Sequence, residues 1–250
     1  MRTRVWSWLV AGALLLISLP SPAQDVQAIL NRVAETYRNA KSYQAQATLT
    51  QTRQGGAQQQ RRSSTISTKY KAPNKVVTIV QGSDTMQVYS DGKTMYIYSP
   101  KDKQYMKMPA PATLTQMAGV SGVGSGDPSQ IGTQLQAIFG NGKKLPDRNV
   151  GGTPVFVLQS TQSQQSQDGK SSLQLVATAF IDKANYLLRQ LTIQATRSQG
   201  TQKVVETITL TFASQQVNPN LPDSVFAFKP PAGAKEIAPP QPARAPSAPR

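Results

Sequence analysis

The side chains that carry most protein chemistry are scarce in this chain of 250 residues, which holds no Cys and no His. Without thiols there are no disulfides, no thiolate nucleophile and no thiolate metal site. Without imidazole, the commonest general base and the commonest metal ligand are missing too. Twelve carboxylates remain: Asp25, Glu35, Asp84, Asp91, Asp102, Asp127, Asp147, Asp168, Asp182, Glu206, Asp223 and Glu236. Most stand beside Gly, Pro or Lys, where a short carboxylate folds onto its own backbone to make a turn. No two are spaced as an acid–base pair. The expectation is a protein that is not an enzyme and takes no metal and no cofactor.

Methionine, by contrast, is concentrated. Met86, Met95, Met106, Met108 and Met117, five of the six, lie in or just after residues 73–109. Met is flexible and polarizable, so it suits a ligand of irregular shape and an ordinary core alike. This stretch reads as four short strands broken at Gly82-Ser83-Asp84, Asp91-Gly92 and Pro100-Lys101-Asp102. Alternation puts Val77 with Ile79, Met86 with Val88, and Met95 with Ile97 on one face of their strands. Val76, Thr78, Val80, Gln87, Tyr89, Tyr96 and Tyr98 fall on the other. Neither face is plainly polar, so the sheet needs apolar matter on both sides.

The elements around it follow from periodicity. Residues 25–41 form an amphipathic helix with Asp25 as N-cap and Ile29, Leu30, Val33, Ala34 and Tyr37 as its apolar stripe. Two long strands, from Ser42 and over 61–71, follow with Gly55-Gly56 between them. Residues 109–127 are rich in Pro, Ala, Gly and Ser, with a short helix expected at 113–118. A second helix starts at Pro128-Ser129 and aligns Ile131, Leu135, Ile138 and Phe139. Helices between Gly-rich hinges serve as lids or as plain crossovers, and the spacing leaves both open. Strands return at 153–163, 172–182, 186–197 and 203–213, an antiparallel meander, and Val225–Phe228 closes the series as an apolar strand.

At the N-terminus, Arg2 and Arg4 precede an apolar run to Leu19, and Ser21 and Ala23 frame a cut before Gln24, the form of a secretory leader. The run is shorter than the ~20 residues that span a bilayer. The expected organisation is a leader over 1–23, one domain over 24–237, and a Pro-rich, disordered tail over 238–250. The formal net charge is +15; the leader carries two of those charges and no acid, which leaves +13 for the secreted chain. Such a balance favours anionic partners, a membrane surface among them, or simply solubility. Nucleic acid is not expected, because the cations are scattered and the chain is exported.

Taken in order, these features resemble the periplasmic outer-membrane lipoprotein carriers, the LolA-type superfamily. The resemblance rests on Ser42-Tyr43-Gln44-Ala45, on Tyr70-Lys71-Ala72-Pro73-Asn74, on Tyr89 through Pro100 (YSDGKTMYIYSP), and on Pro222 through Ala234 (PDSVFAFKPPAGA). It covers residues 25–237. It implies an α+β fold: a curved antiparallel sheet forming an incomplete β-barrel, with the helices of 25–41 and 113–139 plugging its concave face. It further implies an apolar cavity for acyl chains, lined by Ile29, Val33, Tyr37, Val77, Ile79, Met86, Val88, Met95, Ile97, Leu135, Ile138 and Phe139. Lipoprotein carriers have an Arg just before the Pro-Asn that opens the meander. Here that position is Ala72, beside Lys71, whose ammonium lacks the planar fork. The implied partners are acyl chains of lipids or lipoproteins. The alternative is a sensor or regulatory module of the same fold that binds an envelope protein.

Overall fold

Twelve strands form a single sheet in the computed structural model, which describes residues 22–56, 58–83, 85–112 and 126–239. Residues 1–21 of the expected leader, the expected helix at 113–118, Met117 and the tail from 240 lie outside these residues; the last two residues of the expected leader are the first of a helix. Helix α1 spans Pro22–Arg38. It begins three residues before the expected cap, with Pro near its start, where a missing N–H costs nothing; Asp25 therefore sits in the first turn rather than capping it.

The first half of the sheet comprises β1 (Ser42–Gly55), β2 (Gln58–Lys71), β3 (Lys75–Gln81), β4 (Met86–Asp91), β5 (Thr94–Ser99) and β6 (Gln104–Pro109). Helix α2 (Ser129–Phe139) follows. The second half comprises β7 (Lys143–Val150), β8 (Thr153–Gln165), β9 (Ser171–Asp182), β10 (Leu188–Gln199), β11 (Gln202–Val217) and the three-residue β12 (Lys235–Ile237). The strand order is β12-β6-β5-β4-β3-β2-β1-β11-β10-β9-β8-β7, so the sheet is open, with β12 and β7 at its edges. Strands β1 and β11 join the halves over thirteen paired positions. The meander turns form as their chemistry requires: Asp91 Oδ1 accepts the N–H groups of Lys93 (2.8 Å) and Thr94 (2.7 Å), and Gly92 takes φ +93°.

Register decides which residues share a face. Tyr43 stands opposite Tyr70, Tyr70 opposite Val76, Val76 opposite Ser90, and Ser90 opposite Met95. The next row runs Ala45, Thr68, Thr78, Val88, Ile97, Met106. This face carries the helices: α1 and α2 bury Val26, Leu30, Val33, Leu135 and Phe139 with Tyr43, Val76, Leu158, Ala179, Ile181 and Leu191 in one cluster.

Val77 and Ile79 belong to the opposite face, which corrects the expectation that they join the Met residues. Val77 pairs with Tyr89 and Ile79 with Gln87, and Val77 is buried with Leu221 and Phe226. The run Val76–Val80 is apolar on both faces, so alternation alone leaves its parity open; the short link from Tyr70 sets it.

The apolar matter on that outer face is the chain's own C-terminal segment. Val225–Phe228 is not a strand: Asp223–Phe226 is one 3₁₀ turn, and Phe228 seats its ring among Tyr89, Tyr96, Tyr98 and Tyr105 at centroid distances of 5.2, 4.9, 5.8 and 5.5 Å. Lys71 and Lys75 hold Asp223 at 2.8 and 2.7 Å, and β12 then adds parallel to β6. Strand β7 is a further departure from the expected elements. Its sequence, KKLPDRNV, suits an edge, since Pro146 lacks a ladder donor and charges discourage further pairing. Asp147 there pairs with Lys144 and Lys183.

Candidate functional site

The helix-bearing face is the part of the molecule on which most of the expected cavity residues converge, and α1 is fixed to it by a buried polar knot. The Tyr37 hydroxyl donates to Gln215 Oε1 (2.8 Å) and accepts the Leu188 N–H (2.9 Å). The Tyr43 hydroxyl donates to the same Oε1 (2.8 Å), and Gln215 Nε2 donates to the Leu188 carbonyl (2.8 Å). Every polar atom here has a partner, as burial demands. Burial raises both phenols beyond the ordinary tyrosine range, so they remain neutral donors.

Helix α2 crosses α1 at a contact that only a small residue permits. A Cβ on Gly132 would stand 2.7 Å from Ala34 Cα and 3.1 Å from its Cβ. Gln27 Nε2 to the Gly140 carbonyl (2.7 Å) and Gln136 Nε2 to Asn31 Oδ1 (3.2 Å) add rim bonds. The N-terminal end of α2 rests directly on the sheet: Asp127 Oδ1 accepts the Ser129 N–H (2.9 Å), and Gly126, at φ +77°, has no room for a Cβ against Val76 Cγ2. Burial, aided by the charge of Asp127, pushes the Tyr70 phenol up to about 12.

Of the expected cavity residues, Ile29, Val33, Tyr37, Leu135 and Phe139 are buried together in the helix–sheet core, with Ile138 packed at its margin. Val88 and Met95 are buried, and Met86 and Ile97 half-buried, on the same sheet face, in the register rows that also hold Met106 and Met108. Val77 and Ile79 are on the other side. A seam runs beneath the N-terminal end of α2. Its floor is Tyr43, Ala45, Ala47, Ile66, Thr68, Leu210 and Phe212; its roof is Gly126, Asp127, Pro128 and Ile131.

The seam encloses about 30 Å³, room for a water or two against the ~300–1,000 Å³ of a ligand pocket. Sequence reasoning missed its floor because Ala45 and Ala47 read as unremarkable strand residues. The strand alternation that groups them with Leu49 and Tyr43 was the available signal. Among the described residues no three His, Cys, Asp or Glu side chains gather as a metal site, and no helix is long and apolar enough to cross a membrane.

No curated protein matches the chain in sequence. It is similar to the solved structure of an uncharacterized conserved protein from Thermus thermophilus, at 13% identity and TM-score 0.42 over 86% of this chain and 99% of that one. A LolA superfamily protein from Nitrosomonas europaea is similar at 14% identity and TM-score 0.30 over 81% and 97%. The Pseudomonas aeruginosa MucA/MucB complex structure is similar at 16% identity and TM-score 0.42 over 82% and 61%. A family model described as a predicted periplasmic protein (DUF2092) matches residues 26–120 and 159–238. That match takes in most of α1, β1 to β6, the second half of β8 and β9 to β12, and the chain belongs to this family.

Proposed function

We propose that the chain is a periplasmic binding module, not a catalyst, that shelters an acyl chain of a lipid or lipoprotein along the helix-bearing face, with the two helices as its plug. The observation that carries this reading is the seam. Apolar side chains flank the seam on this face, Met106, Ile97 and Val88 on one side of Thr78 and Thr68 and Ala45, Ala47, Phe212 and Leu191 on the other, and they are smallest at Ala45 and Ala47, beneath the end of α2. Removing only Gly126–Pro128 from above these alanines would open a channel between two greasy walls. Gly126 lies so close to Val76 that a Cβ would not fit, and α2 is tied to α1 by two rim hydrogen bonds, whereas α1 is pinned to the sheet by the tyrosine knot. In this reading α2 is the part that yields. The residue inventory supports a binding role, since the chain has neither His nor Cys.

The test is displacement of a fluorescent fatty acid by mature protein, with Ala47→Phe as the comparison. A ring at Ala47 is larger than the seam of about 30 Å³, so it occupies the space and presses on the roof at an overpacking cost of about 1–3 kcal/mol; probe binding should fall at least about tenfold in protein that circular dichroism shows to be folded. Undiminished binding in Ala47→Phe would place the acyl chain elsewhere. No binding by the wild type would remove the reading.

A second reading is a module that binds an envelope protein. It is favoured by the same small volume, since a seam of about 30 Å³ is closer to a filled core than to a pocket. Retention of an envelope protein, together with absence of bound lipid, would support it. In both readings the chain is exported and residues 1–23 are removed; N-terminal sequencing of the periplasmic protein should begin at Gln24.

A further inference from the structure

The long strands β1, β2, β10 and β11 run past the helices, and their far rows are unlike the rest of the face. Gln51 stands opposite both Arg62 and Ile208; Arg53 stands opposite Gln60 and Glu206; Arg197 stands opposite Val204. Ile208 is one of two large apolar side chains that are plainly exposed among the described residues, at 41%. Around it lies an open groove of about 350 Å³ lined by Gln51, Arg53, Gln60, Arg62 and Glu206.

Two guanidinium groups here share one carboxylate, and a third, that of Arg62, lines the same groove. Glu206 takes Arg53 at 3.1 Å through one oxygen and Arg197 at 2.6 Å through the other. Arg62 forms no hydrogen bond or ion pair among the described residues. The cluster thus keeps an excess of positive charge beside exposed aliphatic surface. Glu206 holds two of the arginines in place while one fork is left to bind. Planar guanidinium forks match the oxygens of a phosphate or carboxylate.

The groove continues the seam. Phe212 and Leu210 are in the seam floor, and Ile208 and Glu206 follow on the same strand face. At about 3.3 Å per residue, Phe212 to Glu206 spans roughly 20 Å, a run that lies alongside an extended acyl chain.

We infer that this end of the face is a subsite for the acidic headgroup of an amphiphile, with Arg62, Arg53 and Arg197 as its cations and the tail lying over Ile208, Leu210 and Phe212. The inference rests on the acyl-binding reading and gives it a ligand class: single- or double-chain lipids with a phosphate or similar anion at the head. It also sets the direction of the ligand, tail toward α2 and head toward the hairpin tips.

The experiment is calorimetric titration of the mature chain with dodecyl phosphate, dodecyl maltoside and inorganic phosphate, repeated with Arg62→Gln, Arg53→Gln and Ile208→Gln. The expected result is dodecyl phosphate bound at least about tenfold more tightly than the maltoside, with the difference reduced by added salt and abolished by Arg62→Gln. Ile208→Gln should weaken both detergents alike. If both detergents bind equally and the Arg variants change nothing, the headgroup subsite is overturned while acyl binding stands. If inorganic phosphate binds as well as dodecyl phosphate, the site is one for free anions and the inference fails. If neither detergent binds, the acyl-binding reading fails with it.

Discussion

Replacing Tyr37 by Phe removes one oxygen from the interior, and the structure says what that oxygen does. It accepts the buried Leu188 N–H at 2.9 Å and donates to Gln215 at 2.8 Å. The shape of the core is unchanged, so no cavity term enters. What remains is a buried backbone donor without an acceptor, at a cost of about 1–3 kcal/mol. Gln215 loses little, because Tyr43 still donates to the same oxygen. For a domain of this size 1 kcal/mol moves the midpoint by about 2–4 °C, so a central 2 kcal/mol predicts a fall of roughly 4–8 °C. Tyr43→Phe is the internal control. It removes a donor from an acceptor that Tyr37 still serves, and orphans no backbone group, so its cost should be nearer the ~0.5–1.5 kcal/mol net value of one hydrogen bond. Thermal unfolding of both variants, followed by circular dichroism, gives the comparison. A Tyr43→Phe loss equal to or larger than that of Tyr37→Phe would refute the knot as the anchor of α1.

Other substitutions probe other contacts. Gly132→Ala places a methyl 2.7 Å from Ala34 Cα and should cost about 1–3 kcal/mol, as overpacking does, measurable as a lower denaturant midpoint with an unchanged slope. Gly126→Ala meets Val76 and also needs φ +77°, so it should loosen the end of α2 and increase amide exchange across Ser129–Thr133. Phe228→Ala should cost up to about 3 kcal/mol, the low end for a Phe truncation because the ring is half-buried, and expose the four tyrosines to iodide quenching. Asp223, held down to about 2 by Lys71 first and Lys75 second, should add a small ion-pair contribution to the docking of the C-terminal segment at every pH above its ordinary value near 3.9. Because its pKa is lowered by folding, that docking contribution is lost as pH falls from about 4 through 2; protease cleavage of the segment should rise over that window in the wild type, and Asp223→Asn should show it already at neutral pH.

Where local pattern and tertiary context agree, the sequence was legible. The Asp91-Gly92 turn, the α2 stripe of Ile131, Leu135 and Phe139, and the long hairpins all follow from period and turn chemistry. Parity within β3 did not, because Val76–Val80 is apolar on both faces and only pairing with Tyr70 decides which side meets the helices. Strand β7 is charged and interrupted by Pro146, so nothing in its own pattern marks it; it exists because β8 offers an edge. Phe228 reads as strand core, yet its place is over four tyrosines that come from three separate strands. The seam was hidden for a related reason: its defining feature is the smallness of Ala45 and Ala47, which matters only once Phe212, Ile66 and the end of α2 surround them. The headgroup cluster likewise joins Arg53, Arg62, Arg197 and Glu206 from four strands, a gathering that no local pattern announces.

The central claim, that the helix-bearing face shelters acyl chains, is tested most directly by what the protein carries when it leaves the cell. Mature protein purified from periplasm without detergent would be extracted with organic solvent and the extract examined by mass spectrometry, beside the Ala47→Phe protein prepared in the same way. Near-stoichiometric acyl-bearing lipid in the wild type and its depletion in Ala47→Phe is the predicted result. An extract free of lipid, from a protein that also fails to displace a fatty-acid probe, would contradict the claim.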